Sequence, residues 1–406
     1  MLRLKRGHDR PRSHPWIFKG DVADVSDVVP GTVVTVLDSA ARFAGRGIFN
    51  PKPALCCRIL TRVDEPLDRA FYLRRIGEAI ARRRRSPVLA GAIRDPRIAS
   101  RRAAETATGD AGAERIVWSE ADGLPGLVVD RYGAVLVVQC LTLGMAEARA
   151  VIIDAVRSHL GTLPVFASDD PTAAALEGFQ PVRGWIGAAG PERLTVHEGR
   201  VRLQVTLGGG HKTGLYLDQA ENRRRIGSIA AGRAMLDAFS YTAGFACHAL
   251  GGGATAALCI ESGPDALAGA RANLAMNGIA DRAEVRAGNV FDELRSLERD
   301  RRRFGVVVLD PPPFARSRGA LEAAARGYKE INLRAMRLLE PGGVLATFSC
   351  SHHVSDALFA EVCREAAVDA GVTLRVLETL TQAADHPVLL TVPETKYLKG
   401  LLLEAL

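Results

Sequence analysis

From His211 to the C-terminus, short apolar segments alternate with segments of helical periodicity, and this alternation constrains the fold more than any other feature. The apolar segments are AMLDAF, ATAALCIE, AEVRAGNV, FGVVVLD, GGVLATFSC and TLRVLETL, with a final pair around HPVLLTV and LKGLLLEA. Helical patterns such as DALAGARANLAMNG and RGYKEINLRAMRLL lie between them. Near-continuous apolar strands separated by helices are typical of a mainly parallel sheet covered on both faces. The sequence therefore predicts an α/β fold for this half of the chain.

The N-terminal half has a different pattern. Residues 1–66 contain short strand-like segments such as GTVVTVLDS, FAGRGIFN and ALCCRILTR, separated by turn residues, which indicates a small β-rich domain. A basic helical segment, FYLRRIGEAIARRRRSPVL, follows. Residues 115–210 return to strands (RIVWSE, GLVVDRYGAVLVVQC, RLTVHEGRVRLQVTL) around one amphipathic helix, a β-β-α-β-β-like insert. We therefore predict three domains, at residues 1–68, 69–188 and 189–406.

Composition narrows the class of protein. A chain of 406 residues is long enough for two or three domains, each with its own core. The formal charge of +7 favours an anionic partner. The seven cysteines lack metal-ligand spacing, which predicts reduced thiols, no metal site and a cytoplasmic location. MLRLKRGHDRPRSHPW has no apolar run, so we expect no signal peptide. The most apolar long stretch, MLDAFSYTAGFACHALGGGATAALCI, contains Asp237, His248 and many glycines, so we expect no membrane span.

The residues directly after each strand are the candidates for ligand binding, because open α/β sheets bind ligands beyond the carboxyl ends of their strands. The first strand leads into DAFSYTAGF, and the next three end at ES, GNVF and DPPPF. The candidate cofactor residues in these turns are Asp237, Phe239, Ser240, Tyr241, Gly244, Glu261, Ser262, Asn289, Val290 and Asp310.

These turns favour an adenosine cofactor without phosphates. An acid at the end of the second strand, here Glu261, can accept both hydroxyls of a ribose, and Asn289 is placed to touch an adenine edge. The first turn is neither GxGxxG nor a Walker loop, so a phosphate cradle is missing. S-adenosylmethionine is the predicted cofactor; a dinucleotide or a purely structural role for the turns stays open.

Asp310 and Cys350 are the candidate catalytic residues. The prolines of DPPPF donate no backbone hydrogen bonds and force an extended path. They form either a rigid turn or a stiff wall holding Asp310 against a planar substrate, with Pro311, Pro312 and Phe314 beside it. Cys350 follows a strand between two serines, whereas the other cysteines are predicted to be small buried apolar residues.

A nucleophilic thiol needs thiolate character, for which His352, His353 or Lys329 are candidate helpers. A thiolate that adds to carbon-6 of a pyrimidine activates carbon-5 toward a methyl sulfonium. Asp310 would then hydrogen-bond the N3/N4 edge of the base and neutralise charge that develops there. The pair therefore predicts methylation of a pyrimidine at carbon-5.

The chain resembles a known family in HKTGLYLDQAENRRRI, LDAFSYTAGFACHAL, the stretch from DPPPFARSRG to FSCSHHV, and HPVLLTVPETKYLKGLLL. It is similar to the bacterial 23S ribosomal RNA cytosine-5 methyltransferases that carry an N-terminal PUA domain. The start LKRGHDRPRSHPWIFKGDV resembles that PUA domain, and SEADGLPGLVVDRYGAVLVVQ resembles the EEHEE domain that links it to a Rossmann-like class I methyltransferase domain with a mainly parallel seven-stranded sheet.

The resemblance implies S-adenosylmethionine as methyl donor, Cys350 as nucleophile and Asp310 as the base-edge partner. It also places Tyr216, Asp218, Gln219 and Arg223 beside the cofactor cleft, and it allows a homodimer. Two positions depart from relatives of this chemistry. Pro312 and Pro313 stand where many RNA cytosine-5 methyltransferases have a second cysteine, which bears on product release. Asn289 stands where an acid often holds the adenine amine.

The N-terminal segment is a candidate RNA contact. Residues 1–20 contain six lysines and arginines and one acid, Asp9, and Trp16 and Phe18 lie among them. Cations beside aromatic rings suit phosphate contact and base stacking. The predicted RNA-binding residues are Arg3, Lys5, Arg6, Trp16 and Lys19. Trp16 also suits a small core, and Arg82–Arg85 fit either RNA contact or a solvated helix end.

Three other functions stay open. A uracil-5 methyltransferase also uses cysteine addition but places an acidic proton acceptor near the C-terminus, where Glu394 is the counterpart. A non-catalytic RNA-binding or ribosome-assembly factor would not need Cys350, Asp310 and Glu261 together. An amine methyltransferase would share the proline after Asp310 and leave Cys350 without a role.

Overall fold

The computed structural model describes residues 1–7, 14–89, 112–208, 213–315 and 317–406. Contacts within the chain divide it into two compact units. The first contains Met1–Val196, Val205–Leu217 and Ala384–Lys396, and the second contains His197–Gln204, Asp218–Ala383 and Tyr397–Leu406. Within the described residues, no helix has both the length and the apolar composition needed to cross a bilayer.

A six-stranded sheet forms the N-terminal part of the first unit, with the strand order β2-β6-β5-β4-β1-β3. Its strands are β1 (Leu2–Leu4), β2 (Trp16–Phe18), β3 (Val22–Val25), β4 (Val33–Leu37), β5 (Phe43–Phe49) and β6 (Leu55–Thr61). Alternate side chains of these strands are buried in one hydrophobic cluster, which includes Leu2, Val36 and Cys57. This period of two is the pattern of a sheet with one buried face.

A five-stranded sheet with its own hydrophobic cluster completes the first unit, in the order β11-β10-β9-β8-β7. Its strands are β7 (Ala113–Trp118), β8 (Leu127–Tyr132), β9 (Val135–Cys140), β10 (Val165–Ser168) and β11 (Arg183–Ile186). Its helices are α1 (Arg69–Leu89), α2 (Leu143–Glu147), α3 (Arg149–Leu160) and α4 (Pro171–Glu177). Of the predicted β-β-α-β-β order, the strands before the helix and the helix itself are present in this sheet. The strands predicted after the helix, in RLTVHEGRVRLQVTL, are wrong: they form a two-stranded sheet of their own, and β10 and β11 complete the five-stranded sheet.

The strands β12 (Arg193–Glu198) and β13 (Val201–Thr206) form a hairpin, of which His197–Gln204 belong to the second unit. The second unit contains a seven-stranded sheet in the order β16-β15-β14-β17-β18-β20-β19. Its strands are β14 (Ala234–Ala238), β15 (Ala256–Glu261), β16 (Ala283–Ala287), β17 (Phe304–Leu309), β18 (Leu339–Ser349), β19 (Leu374–Thr381) and β20 (Lys399–Ala405). Its helices are α5 (Ala220–Gly227), α6 (Gly244–Gly251), α7 (Pro264–Met276), α8 (Val290–Arg299), α9 (Leu321–Arg337) and α10 (Asp356–Ala370).

The predicted α/β architecture of the second unit is confirmed. Strands β14 to β18 are parallel, and β20 runs antiparallel to both β18 and β19. Every side chain of β17 is buried, because helices cover both faces of the sheet. The parallel strands β14 to β18 therefore have their carboxyl ends at one edge of the sheet, where the turns predicted to bind ligands begin.

One predicted strand is wrong. HPVLLTV does not join the sheet; it forms a single bridge between Leu389 and Val392 and belongs to the first unit. Pro387 and Pro393 flank the segment, and proline cannot donate to a strand ladder. Leu390 is 97% exposed, so the apolar run that suggested a buried strand is partly on the surface.

Candidate functional site

Four neighbouring strand ends of the second unit bring the predicted residues to one edge of the sheet. The strands β15, β14, β17 and β18 are parallel and adjacent in that order. Glu261 ends β15, Asp237 lies near the end of β14, and Asp310 and Cys350 directly follow β17 and β18. Because adjacent strands lie about 4.8 Å apart, one extended ligand can reach all four side chains.

The loop between β14 and α6 has a strained backbone. Phe239, Tyr241 and Ala243 have φ angles of 63°, 49° and 60°, in the left-handed region that residues with a Cβ rarely adopt. Two backbone hydrogen bonds hold the loop: Ser240 N donates to Ile260 O at 3.0 Å, and Ala243 N donates to Ser240 O at 2.8 Å. Strain of this kind persists where the surrounding structure enforces it and is concentrated at ligand sites.

Asp237 is buried beside this loop. Its Oδ2 accepts a hydrogen bond from Ala246 N at 3.1 Å. Among the described residues, its Oδ1 and the Ser240 hydroxyl are buried polar atoms without a partner. Burial raises the pKa of Asp237 well above its ordinary value, and the negative charges of Asp310 and Glu261 raise it further. Such atoms need a polar or cationic partner, so this pocket fits a cofactor with amino and sulfonium groups.

Glu261 is fixed in orientation by backbone amides. Its Oε1 accepts from Ser262 N at 2.7 Å and Gly263 N at 2.8 Å, and its Oε2 accepts from Tyr241 N at 2.9 Å. A carboxylate has about four acceptor positions, so the group has capacity for a further donor such as a ribose hydroxyl. The exposed Ser262 lies beside it.

The third turn supports fewer of the predicted contacts. The exposed Asn289 caps α8, because its Oδ1 accepts from Phe291 N at 2.9 Å. Its carboxamide oxygen is therefore engaged, which is a role that the sequence analysis did not give it. The Val290 side chain is 5% exposed and packs in a hydrophobic cluster of the second unit, and its contact with the cofactor stays a prediction.

The YLDQAENR segment is divided between the two units. Tyr216 belongs to the first unit, and Asp218, Gln219 and Arg223 belong to the second. The buried Asp218 accepts a hydrogen bond from the Tyr397 hydroxyl at 2.6 Å. Gln219 is 2% exposed; its Oε1 accepts from Asn222 at 2.6 Å, and its Nε2 is a buried donor without a partner among the described residues.

Arg223 forms a buried ion pair below the strained loop. Its Nε and Nη2 both donate to the Glu198 carboxylate, with an Nη2–Oε1 distance of 2.7 Å. A Cβ on Gly244 would lie 2.8 Å from Arg223 Cδ, so the glycine lets α6 begin directly against the arginine. Arg223 therefore supports the loop from below, whereas the sequence analysis placed it in contact with the cofactor; that contact stays a prediction.

The proline turn presents only part of its predicted surface. Pro312 is exposed, and Pro311 is buried. The half-buried Phe314 ring packs against Tyr328, with a centroid distance of 4.6 Å, and against Phe291 at 5.9 Å. Phe314 thus packs against the core. Of the three side chains predicted to face the substrate, Pro312 has the most suitable position.

All seven cysteines lie in the described part of the chain, and Cys350 is the one among them that is not buried. Its thiol points to the proline turn, with Sγ 3.8 Å from Pro311 O. By contrast, burial raises the pKa of the Cys140, Cys247 and Cys363 thiols to about 12. Cys350 is therefore the cysteine best placed to react with a bound substrate.

A hydroxyl network fixes the backbone on both sides of Cys350. The buried Tyr328 hydroxyl accepts from Ser349 Oγ at 3.0 Å and lies 3.0 Å from Ser351 Oγ. Ser351 Oγ also accepts from Ala315 N at 3.2 Å, which links the cysteine segment to the proline turn. The positions of the thiol and of the turn are thus coupled through one buried tyrosine.

Lys329 does not assist Cys350, and this prediction is wrong. Its ammonium group pairs with Glu365 at 3.2 Å and with Asp369 at 2.9 Å, both on α10. The exposed His352 and His353 follow Cys350, and the His352 ring lies 5.9 Å from that of Tyr397.

Comparison with known proteins identifies the family. Residues 118–403 match the model of an S-adenosylmethionine-dependent methyltransferase, and residues 2–62 match a PUA-like domain. The chain belongs to the S-adenosylmethionine-dependent methyltransferases. A protein of Alteromonas mediterranea named ribosomal RNA large subunit methyltransferase I is 36% identical to it over 100% of the chain and 98% of that protein. A protein of the same name from Klebsiella pneumoniae strain 342 is 36% identical over 98% of the chain and 96% of that protein.

Solved structures agree with this methyltransferase fold. A candidate SAM-dependent methyltransferase from Streptococcus mutans superposes with a TM-score of 0.80 and 18% identity, covering 99% of both chains. A candidate methyltransferase solved in complex with S-adenosylhomocysteine superposes with a TM-score of 0.79 and 18% identity, covering 100% of both chains. S-adenosylmethionine is the cofactor of this methyltransferase, as the turns after β14 and β15 predict.

The predicted RNA-binding residues of the methyltransferase lie in the first unit. Lys5, Arg6 and Lys19 are exposed, and Arg3 is exposed on the face of β1 opposite to Leu2 and Leu4. Trp16 is half-buried; its Nε1 donates to Glu120 Oε1 at 2.9 Å, and its ring contacts His14 and Phe18 edge-on. Trp16 thus packs within its own unit. Arg10 and Arg12, counted in the basic segment, lie outside the described residues.

The Arg82–Arg85 run is divided between two roles. Arg83 is 8% exposed and pairs with Asp122, with an Nη1–Oδ1 distance of 2.6 Å. Arg82 pairs with the same carboxylate, so these two residues hold α1 against the turn after β7. Arg84 and Arg85 are exposed and stay candidates for RNA contact.

Sequence analysis missed four residues that shape the site: Glu198, His248, Tyr328 and Lys399. Glu198 and His248 are buried polar residues 3.6 Å apart. Lys399 is the one that a sequence signal marks, because a lysine at the start of the apolar strand LKGLLLEA needs a buried partner. The described residues hold no group of three or more metal-ligating side chains arranged for a metal ion.

Proposed function

We propose that this methyltransferase acts on large-subunit ribosomal RNA and forms 5-methylcytosine with Cys350 as the covalent nucleophile. The observation that carries the proposal is the position of Cys350: a cysteine that is not buried, at the end of β18, with its Sγ 3.8 Å from the carbonyl of the turn that begins at Asp310. The relatives named ribosomal RNA large subunit methyltransferase I support the RNA substrate.

Carbon-5 of cytosine is a poor nucleophile, and the protein has to activate it. In the proposed reaction the Cys350 thiolate forms a bond to carbon-6, and the displaced electron pair makes carbon-5 an enamine carbon. Asp310 is a carboxyl group within reach of the base edge and stabilises the charge at N3 and N4. After methylation, a base removes the carbon-5 proton, the C–S bond breaks, and the electron pair returns to sulfur.

S-adenosylmethionine supplies an electrophilic methyl group when it is bound. The residues proposed to hold it are Asp237, Ser240 and Glu261 at the ends of β14 and β15, and Asp218 and Gln219 before α5. They present carboxylates and buried donors or acceptors. The backbone of the strained loop and the side chains of Phe239 and Tyr241 complete that set. Backbone amides of Tyr241, Ser262 and Gly263 keep the Glu261 carboxylate in a fixed orientation before the substrate arrives.

The product identifies the function. Unmodified bacterial 23S ribosomal RNA is incubated with the protein and methyl-labelled S-adenosylmethionine, digested to nucleosides, and separated by chromatography with mass detection. We expect the label in 5-methylcytidine. Label in 5-methyluridine would instead indicate the uracil-5 enzyme, although Glu394, its predicted proton acceptor, pairs with His14 at 3.2 Å in the first unit. An unlabelled RNA would indicate a binding or assembly factor, and a label on protein amines an amine methyltransferase.

The basic N-terminal segment of residues 1–20, called the N-terminal arm below, gives a second testable prediction. Replacing Arg3, Lys5 and Arg6 with glutamine should weaken RNA binding and reduce the slope of log K against log salt by roughly 0.7–0.9 per lost phosphate contact. Fluorescence anisotropy at several salt concentrations measures the slope.

The matched control replaces Arg326, Arg364 and Arg375 with glutamine. It removes the same charge, but each of these arginines already pairs with a carboxylate of the second unit. We expect the control to keep the wild-type slope. If the arm variant also keeps it, the arm is not part of the RNA interface.

A further inference from the structure

Lys399 is a buried lysine that lies against the cysteine segment. It is 5% exposed, and its ammonium group donates to the Ser351 carbonyl at 2.7 Å. In the antiparallel pairing of β18 with β20, Lys399 lies opposite Ser349. It therefore contacts the residues on both sides of Cys350. Lysine is almost never fully buried without a compensating role, because its charge is costly to remove from water.

We propose that Lys399 is a positioning residue for the methyl transfer, whose ammonium group holds Cys350 as a thiolate and anchors the backbone that carries it. The inference rests on the proposed function, because only a nucleophilic cysteine needs this support. The thiolate, not the thiol, attacks carbon, and nearby positive charge favours it. The same charge stabilises the sulfur when the C–S bond breaks and the electron pair returns to it.

Within the described residues, the charged and titratable groups around this segment come from several elements packed against it. They are Asp310 of the proline turn, Tyr328 of α9, His352 and His353 of the following loop, Tyr397 before β20, Asp218 beside Tyr397, Asp237 of β14, and Lys399 itself.

Among these groups, the negative charge of the carboxylates destabilises a thiolate at Cys350. The two histidines are exposed to solvent, where their charge is screened. Lys399 is the buried amine of this set, and a charge in the interior is screened less than one at the surface, so Lys399 is the member of this set with the largest favourable effect.

Because the hydroxyl network holds the backbone around Cys350, the effect of the Lys399 charge can be tested separately from the position of that backbone. Tyr328 holds Ser349 and Ser351 through their hydroxyls, and Ser351 holds the proline turn through Ala315 N. These contacts maintain the backbone when only the charge of Lys399 is removed. Glutamine at position 399 keeps a donor for the Ser351 carbonyl and loses the charge, so Lys399→Gln tests the electrostatic part alone.

The test is the pH dependence of Cys350 alkylation by iodoacetamide, followed by mass spectrometry of the peptide that contains Cys350. It needs neither RNA nor cofactor. The other cysteines are buried and react slowly. In Lys399→Gln we expect the midpoint to rise by about one pH unit or more, so that alkylation near pH 7 slows about tenfold. Lys399→Arg, which keeps the charge, should restore most of the wild-type rate.

The matched control is Lys329→Gln, which removes the same charge from a surface lysine paired with Glu365 and Asp369. It should leave the alkylation profile unchanged. An unchanged profile in Lys399→Gln overturns the proposal. If Lys399→Gln does not fold, the pH midpoint of Cys350 alkylation in the wild-type protein decides. A midpoint at the ordinary thiol pKa of about 8.5 overturns the proposal, and a lower midpoint supports it.

The two hypotheses can fail separately. If Cys350→Ala still methylates RNA, the proposed function fails and the role of Lys399 loses its purpose. If Cys350→Ala is inactive and Lys399→Gln keeps the wild-type alkylation profile, the covalent mechanism stands and the role of Lys399 is wrong.

Discussion

Replacing Cys350 with alanine is expected to lower the rate of methyl transfer to RNA on the order of 10³-fold or more, while the affinity for S-adenosylmethionine changes only a few-fold. Removing a covalent nucleophile eliminates the step that activates carbon-5, and such losses are typically of this size or larger. The residues proposed to hold the cofactor lie on β14, β15 and the segment before α5, so the substitution does not remove a cofactor contact. Single-turnover transfer of labelled methyl groups measures the rate, and calorimetric titration measures the affinity.

Cys363→Ala is the matched control for this experiment. Cys363 is 3% exposed on α10, where burial raises the pKa of its thiol to about 12, so it has no route to the substrate. We expect this variant to methylate RNA at nearly the wild-type rate, with a modest loss of stability from the small cavity. A Cys350→Ala enzyme that is as active as Cys363→Ala would exclude the covalent mechanism.

Sequence predicts those residues of the site that lie at the carboxyl end of a strand or directly after it. Asp237, Glu261, Asp310 and Cys350 each follow a short apolar run, and parallel strands bring their carboxyl ends to one edge whatever the details of packing. The order of β15, β14, β17 and β18 then decides which residues are neighbours. That order follows from the α/β class more than from any single residue.

The residues that sequence could not predict act through contacts between distant segments. Glu198 reaches Arg223 from a hairpin outside the main sheet, and no local pattern marks that contact. Lys399 meets Ser351 across an antiparallel strand pair. Phe239, Tyr241 and Ala243 have positive φ angles that sequence rules assign to glycine. Tertiary contacts enforce that conformation, so propensity alone points away from it.

Arg223→Met is expected to lower the free energy of unfolding by about 3–5 kcal/mol, the usual cost of leaving one partner of a buried ion pair uncompensated. Glu198, which pairs with Arg223, is 7% exposed, and His248 lies 3.6 Å from it. Urea unfolding followed by circular dichroism measures the change. The double variant Arg223→Met/Glu198→Gln removes the stranded carboxylate, so it should be more stable than Arg223→Met alone; equal stability would mean that the charge of Glu198 is not what the arginine compensates.

The loss of unfolding free energy caused by Arg223→Met should depend on pH. The electrostatics of the Arg223–Glu198 ion pair determine the direction of this dependence. Burial alone would raise the pKa of Glu198, but the Arg223 guanidinium and His248 outweigh it and hold the pKa well below the ordinary value of 4.5. In the wild type, the contribution of this carboxylate is therefore complete above about pH 4.5 and is lost as the pH falls further. In Arg223→Met burial prevails, the folded state favours the protonated acid, and stability falls as the pH rises from about 4.5 toward neutrality. The difference between the two proteins should thus be largest near pH 7 and shrink in acid. A difference that stays constant from pH 7 to about pH 4 would show that the arginine stabilises the fold by packing and not by its charge.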